Sequence, residues 1–370
     1  MQMYRLSVVV LLSFASPILA ADTNSPAHVA MRHFMRGANC GNYLEVPPKQ
    51  NWSVRHTTND LAHMRAEGFD HVRIPVGWHH YAGPAPEFKL SQEIFGTVDL
   101  MVTNALALGL NVIVNIHHFD AFTSAPDEHT DQFVAIWGQV AAHYSSAPNG
   151  LAFELLNEPK DKATTTVMNP IYAQAIKEIR KTNPSRTIFV GPGRWNQIPE
   201  LPNLVLPEED SNIIVTVHTY DPFFFTHQGA SWAGPQTATK GIVFPGPPPQ
   251  PLSPAPTVVS NKSVVAWIKD YNTLPTERNP SSPRAFVTKL RAAREWGEQH
   301  GRPIHVGEFG CYTSAAPQSR SRYYAEFRRA AEREGIGWAI WDWKAGFKYW
   351  DEKQNQPLPG MREALFGRTQ

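Results

Sequence analysis

Leu151-Ala-Phe-Glu-Leu-Leu-Asn-Glu-Pro159 is an apolar run that ends on a glutamate and is stopped by a proline. A second run, Ile304-His-Val-Gly-Glu-Phe-Gly310, has the same form and carries Glu308 where the first carries Glu158. A carboxylate at the exit of a buried strand has lost hydration and must be held by specific partners, so two of them point to a pair facing one site. Outward from these two, apolar runs rich in β-branched residues recur along the chain. The candidate strands are Phe34 to Asn39, His71 to Pro75, Asn111 to His117, Leu151 to Asn157, Thr187 to Val190, Ile213 to His218, Pro303 to Glu308 and Ile336 to Trp341.

The intervening segments have helical periodicity and credible stops. Val98, Met101, Val102, Ala105 and Leu106 share one face, with Gly109 at its end; Ile171, Ala175, Ile176 and Ile179 share another, ended by Asn183-Pro184. Phe286, Leu290, Ala293 and Trp296 form a third, closed by Gly301 and Pro303. Strands alternating with helices in this way predict an α/β fold, a (β/α)8 TIM barrel in a single domain, with its site at the C-terminal ends of the strands. Asn157, Glu158 and Glu308 stand at that end of strands four and seven, and Arg73, His117 and His218 at that end of strands two, three and six. Any one of them alone reads more readily as a polar residue serving its own loop. Their coincidence at one end marks a site, and paired carboxylates are the machinery of glycosidic bond hydrolysis.

Composition narrows the substrate. The 370 residues are 42% hydrophobic and 18% charged with a formal net charge of +1, the profile of a globular domain with a large core. No basic stretch or acidic tail points to nucleic acid or an anionic membrane, so a neutral substrate is expected. Residues 1–20 place Arg5 ahead of an apolar stretch that runs into the small residues Ala20 and then Ala21, which reads as a signal peptide cleaved near there; the stretch is shorter than the ~20 residues of a membrane span. The catalytic domain is then 21–370, secreted or periplasmic. Cys40 and Cys311 read as two buried thiols, with a bridge between them as the alternative.

Residues 234–283 depart from the barrel pattern. Phe244 to Pro256 holds seven prolines in thirteen positions, which excludes a strand or ordinary helix there and predicts an extended insertion after strand six, on the rim of the site.

With these residues assembled, the chain resembles glycoside hydrolase family 5, the cellulase family, in its bacterial endoglucanase branch. The resemblance rests on Arg36-Gly-Ala-Asn-Cys-Gly-Asn-Tyr-Leu-Glu45, Val72-Arg-Ile-Pro75, Ile116-His-His118, Leu156-Asn-Glu-Pro159, Val217-His-Thr-Tyr220, Gly307-Glu-Phe-Gly310 and Trp338-Ala-Ile-Trp341. The segment Asp221 to Trp232 is similar to that branch as well, whereas the proline-rich insertion departs from it.

The resemblance implies a retaining mechanism with Glu308 as nucleophile and Glu158 as general acid, then base. Arg73 and Tyr220 are implied to hold Glu308 ionised, and Asn157 to bind the sugar 2-hydroxyl. His117 and His218 match sugar-contacting and glutamate-positioning histidines, and His118 the second histidine of the endoglucanase branch. Trp341 is implied as the platform under the cleaved sugar, with Trp232, Asn42 and Glu45 at neighbouring subsites. No cofactor or metal is expected. A zinc site at His117, His118 and His218 is the competing reading, made awkward because neighbours on a strand point to opposite faces.

The expected activity is a secreted endo-β-1,4-glucanase acting on cellulose-type or mixed-linkage β-glucan, a neutral polysaccharide or oligosaccharide, by a monomer. Alternatives with the same residues are a β-mannanase or glucomannanase and an exo-β-glucosidase. A barrel that binds polysaccharide without cleaving it belongs to another class.

Overall fold

The eight runs pair side by side in parallel and close on themselves. They are β1 Arg36–Asn39, β2 His71–Ile74, β3 Asn111–Asn115, β4 Leu151–Glu154, β5 Ile188–Val190, β6 Ile213–His218, β7 Ile304–Phe309 and β8 Gly337–Ile340. The molecule is described by a computed structural model over residues 24–52 and 54–367, and the expected leader of residues 1–20 lies outside the described residues. Closure is made by β8 on β1, with Arg36 opposite Trp338 and Ala38 opposite Ile340. The expected α/β barrel is therefore the fold, and each sequence-predicted strand overlaps an observed one.

Alternation along the strands sorts the side chains. Val72, Ile74, Val112, Val114, Leu151 and Phe153 face outward and pack under the helices, such as Gln92–Ala107, Thr165–Arg180 and Arg284–His300. The inward positions divide into two storeys. The lower one is mainly apolar: Ile113, Ala152, Phe189 and Ile214 pack with Phe34 and with Ala27 and Met31 of the short helix Pro26–Met31, which plugs the bottom of the barrel, and buried His71 and His305 sit against Phe34 and Phe189. The upper one is polar, with Asn39, Arg73, Asn115, Glu154 and Thr216 all buried. Arg73, Asn39 and Glu154 satisfy one another there while the Thr216 hydroxyl is left without a partner, and the upper storey is the floor of the site.

Two features of register aim residues at that floor. Several strands stop short of their sequence-predicted ends, so His117, Asn157 and Glu158 lie in the loops just past β3 and β4. Backbone hydrogen bonds continue the ladder there, from His117 to Val76 at 2.9 Å and from Asn157 to Ile116 at 2.8 Å. In β6 a register shift after Val217 sets His218 opposite Glu308 of β7.

The insertion of residues 234–283 differs from its expectation. It contains an ordinary helix, Lys262–Thr273, started by the Asn261 side chain accepting from Ser263 and Val264 N–H groups. Its start reaches the cleft, which Gln236 lines, and its proline-rich stretch is tied down at Phe244, buried against Phe225, Phe286 and Tyr323. Cys40 and Cys311 are both buried and unbridged, and burial pushes both thiols up.

Candidate active site

A cleft of about 1080 Å³ opens at the C-terminal ends of the strands. Of the residues expected there, Asn42, His117, His118, Asn157, Glu158, His218, Tyr220, Trp232, Glu308 and Trp341 all line it. Arg73 lies beneath, fully buried, and joins the floor together. Its guanidinium donates to Glu154 through Nε and Nη2 at 2.6 and 2.7 Å, to Glu308 Oε1 at 2.8 Å, to Asn39 Oδ1 at 2.8 Å and to Asn157 Oδ1 at 2.7 Å. A planar fork with five donors is the side chain that can serve so many acceptors at once.

Around the two glutamates the geometry is asymmetric. Glu308 accepts from Arg73 on one oxygen and from Tyr220 Oη on the other, at 2.7 Å. Glu158, with backbone φ of 47°, shares a 2.8 Å hydrogen bond with His218 Nδ1 and has a side chain 21% exposed to the cleft. A carboxylate oxygen of each glutamate and His218 Nδ1 all lie within 4.8 Å of one another. Burial pushes Glu158 up to about 7, with Arg73 and Lys160 opposing it. Burial also pushes Glu308 up, but the neighbouring His218, Arg73 and Tyr220 pull it back. Burial lowers His218 to about 4 and His117 well below the usual imidazole range, so both rings are neutral at neutral pH.

Aromatic rings make the walls. Trp341 stacks on His117 with centroids 5.6 Å apart and planes 6° from parallel. Gly41 is required behind it, since a Cβ there would meet the Trp341 ring at 2.7 Å. His118 follows β3 with a left-handed φ of 53°, so strand alternation does not apply to it and both histidines face the cleft with their rings edge to face at 4.1 Å. Trp232 is 61% exposed and packs its edge on Tyr312.

Glu45 is elsewhere. It is fully buried and its carboxylate accepts the backbone N–H groups of Asn42 and Tyr43, which shapes the loop that presents Asn42 at φ 63°. Its place is under the cleft wall rather than at a subsite.

The structure adds residues that sequence reasoning passed over. Glu154 is the second carboxylate on Arg73, and its signal was available: a charged residue inside an apolar strand needs a buried cation. Trp52 and Trp195 also line the cleft, each partly exposed. Among the described residues, the trio whose ligand atoms converge as a metal site would require is Glu158, His218 and Glu308, not the three histidines. Both Glu308 oxygens in that trio are already engaged by Arg73 and Tyr220.

A closed (β/α)8 barrel with a carboxyl-lined, aromatic-walled cleft at its C-terminal mouth defines a TIM-barrel protein with its site at the usual end of the strands. The family model for cellulases, glycosyl hydrolase family 5, matches residues 34–346, and the chain belongs to that family. It is 26% identical to endoglucanase H of Acetivibrio thermocellus over 84% of this chain and 29% identical to endoglucanase 3 of Fibrobacter succinogenes over 93%. The chain spans 30% and 54% of the length of those two relatives. Among solved structures it is similar to the endoglucanase Cel5A of Thermotoga maritima, with 31% identity, a TM-score of 0.80 and coverage of 92% of this chain and all of that one. Cel5A has been solved in complex with cellobiose and with mannotriose.

Proposed function

We propose that this chain is a retaining endo-β-1,4-glucanase that hydrolyses cellulose-type or mixed-linkage β-glucan outside the cytoplasm, with Glu308 as nucleophile and Glu158 as acid/base. The observation that carries the mechanism is the approach of the two carboxyl groups, with oxygens within 4.8 Å. Retaining glycosidases need roughly 5–5.5 Å between the carboxyls, whereas inverting ones leave about 6.5–9.5 Å for a water. The leader-like residues 1–20 support export, and no described helix is long and apolar enough to cross a membrane.

In the first step a Glu308 oxygen attacks the anomeric carbon while Glu158 gives its proton to the departing glycosidic oxygen. The hydrogen bonds from Arg73 and Tyr220 favour the charged form of Glu308, and their absence from Glu158 leaves burial to favour its neutral form. Ester formation then removes the charge of Glu308, Glu158 becomes a base, and it takes a proton from the water that releases the sugar. Asn157, whose Oδ1 is committed to Arg73, has its amide N–H groups left to donate to the sugar. Trp341 offers an apolar face for a sugar ring, with Trp232 and Asn42 further along the cleft. A β-mannan or glucomannan substrate is the second reading, favoured by the mannotriose complex of Cel5A. Initial rates on carboxymethylcellulose, barley glucan, glucomannan and mannan, with product lengths, separate these and distinguish endo from exo cleavage.

Stereochemistry tests the mechanism directly. A proton NMR time course on a soluble oligosaccharide is expected to detect the β-anomer first, with the α-anomer growing only as mutarotation proceeds. An α-anomer formed first overturns the proposal.

The pH profile follows from the same pair. Glu158 must enter the first step protonated and Glu308 ionised, so kcat/KM is expected to form a bell. With Glu158 held up at about 7, its proton is present below that pH and lost as pH rises through it. The alkaline limb on unactivated glucan should therefore fall near pH 7. The limb should vanish for an aryl glycoside whose leaving group needs no proton, and one that persists there would assign it to another group.

A further inference from the structure

Past β5 the chain makes a turn that its residue types do not encourage. Arg194, Trp195 and Asn196 have φ of 50°, 61° and 55°, three successive left-handed residues without a glycine among them. Side chains with a Cβ resist this region, asparagine least of them, and strained backbone persists where the surroundings hold it for a purpose. The turn carries Asn196, fully buried, beneath the cleft, with its amide Nδ2 3.4 Å from His218 Nε2. Gly191 makes the space, since a Cβ there would lie 2.6 Å from the Asn196 amide.

The other face of the His218 ring meets the reacting groups. Nδ1 lies 2.8 Å from Glu158 Oε1 and 3.7 Å from Glu308 Oε2. A neutral imidazole carries one hydrogen, so whichever nitrogen accepts leaves the other to donate. Nδ2 of Asn196 is a donor only, which makes Nε2 the acceptor and leaves Nδ1–H to donate to Glu158 Oε1. An oxygen that accepts this bond is the carbonyl-type oxygen of the acid, and the acidic hydrogen then belongs on Oε2. The reverse tautomer would set N–H against N–H at Asn196 and draw the proton of Glu158 onto Oε1, toward the ring.

We propose that Asn196 is a positioning residue for the acid step: by fixing His218 as the Nδ1–H tautomer, it keeps the proton of Glu158 on Oε2, the oxygen free to face the leaving group. This rests on Glu158 being the acid/base. The Oδ1 atom of Asn196 has no hydrogen-bond partner, which accords with the amide being retained for its donor end. Besides the two glutamates, the charged groups that act on His218 are Arg73 and Glu154, with His117 and His305 as neutral neighbours.

The test uses the whole chain labelled with nitrogen-15 in histidine, His218 being assigned by difference from His218→Gln. Wild type is expected to show hydrogen on Nδ1 and none on Nε2; hydrogen on Nε2 overturns the proposal whatever the enzyme's activity. Asn196→Gly and Asn196→Asp both suit a left-handed φ and serve as the variants. The carboxylate of Asn196→Asp accepts from the ring and should bring hydrogen onto Nε2, and Asn196→Gly should lose the fixed preference. With either, kcat/KM on an unactivated cello-oligosaccharide should fall about tenfold or more, a fraction of what general acid catalysis supplies. A dinitrophenyl cellobioside, which needs no proton for departure, should change less than about twofold by the same reasoning. Equal losses on both substrates would make Asn196 merely structural and sink the proposal. A wild type that hydrolyses neither substrate would defeat the proposed function instead, while the tautomer remains readable.

Discussion

Glu308→Ala is expected to lower hydrolysis of both unactivated glucan and an activated aryl cellobioside by roughly 10⁴-fold, because the attacking oxygen itself is gone. Glu158→Ala is expected to lose about as much on glucan but to keep forming the glycosyl-enzyme from the activated substrate, whose leaving group departs without a proton. A burst of released phenol followed by slow turnover would be its signature, since the same variant lacks the base for the second step. The contrast matters more than either loss. The two carboxyl groups differ in place and in partners: Glu308 lies in β7 and accepts from Arg73 and Tyr220, whereas Glu158 lies in the loop past β4 and meets His218. Activity within about tenfold of wild type on glucan in either variant would refute the assignment, given the size of effect such groups carry. If the two variants behaved alike on both substrates, the division of roles would be wrong even with both residues essential.

The barrel was legible because parallel strands covered on both sides are near-continuous apolar runs, and Val112, Ile113 and Val114 show the pattern plainly. Strand ends were less so. Apolar character runs on through Ile116 and Leu156 past the strand ends, where it packs in the core and single backbone hydrogen bonds still extend the ladder, so His117 and Asn157 were read as strand. The charged floor was half legible. Arg73 and Glu308 stood at strand ends and in motifs, and Glu154 was signalled as a charge inside an apolar run, but its cation lies 81 residues away, where no local pattern names the partner. Glu45 was read as a subsite residue, paired with Asn42, from the family resemblance; its carboxylate turns back on the amides of its own loop. Trp195 and Asn196 were invisible because a left-handed turn is ordinarily signalled by glycine, and here three successive residues with side chains adopt it. The misses are thus contacts that close over long separations or backbone that departs from its propensity, and both concentrate at the mouth of the barrel.

Arg73 is where these long-range contacts meet, and its removal is expected to cost the fold as well as the reaction. In Arg73→Met, Glu154 loses both of its donors and Glu308 one, leaving carboxylates buried without a cation. Breaking a buried pair from one side costs about 3–5 kcal/mol, to be read as a lower urea midpoint at unchanged slope. The cost should depend on pH with a definite sign. Burial already pushes Glu308 up and Arg73 is among the groups that pull it down, so without the guanidinium its folded-state pKa rises further above the unfolded value. Protonation then favours the folded variant: its deficit against wild type should be smallest at acid pH and grow as pH rises through the shifted value. Adding Glu154→Leu to Arg73→Met removes one stranded charge and should recover much of the lost stability. Hydrolysis should not return with it, because Glu308 and Asn157 still lack the donor that orients them. Recovery of stability without activity would separate the two duties of this arginine, whereas a double variant no more stable than Arg73→Met would mean that Glu154 is not the partner whose charge Arg73 chiefly compensates.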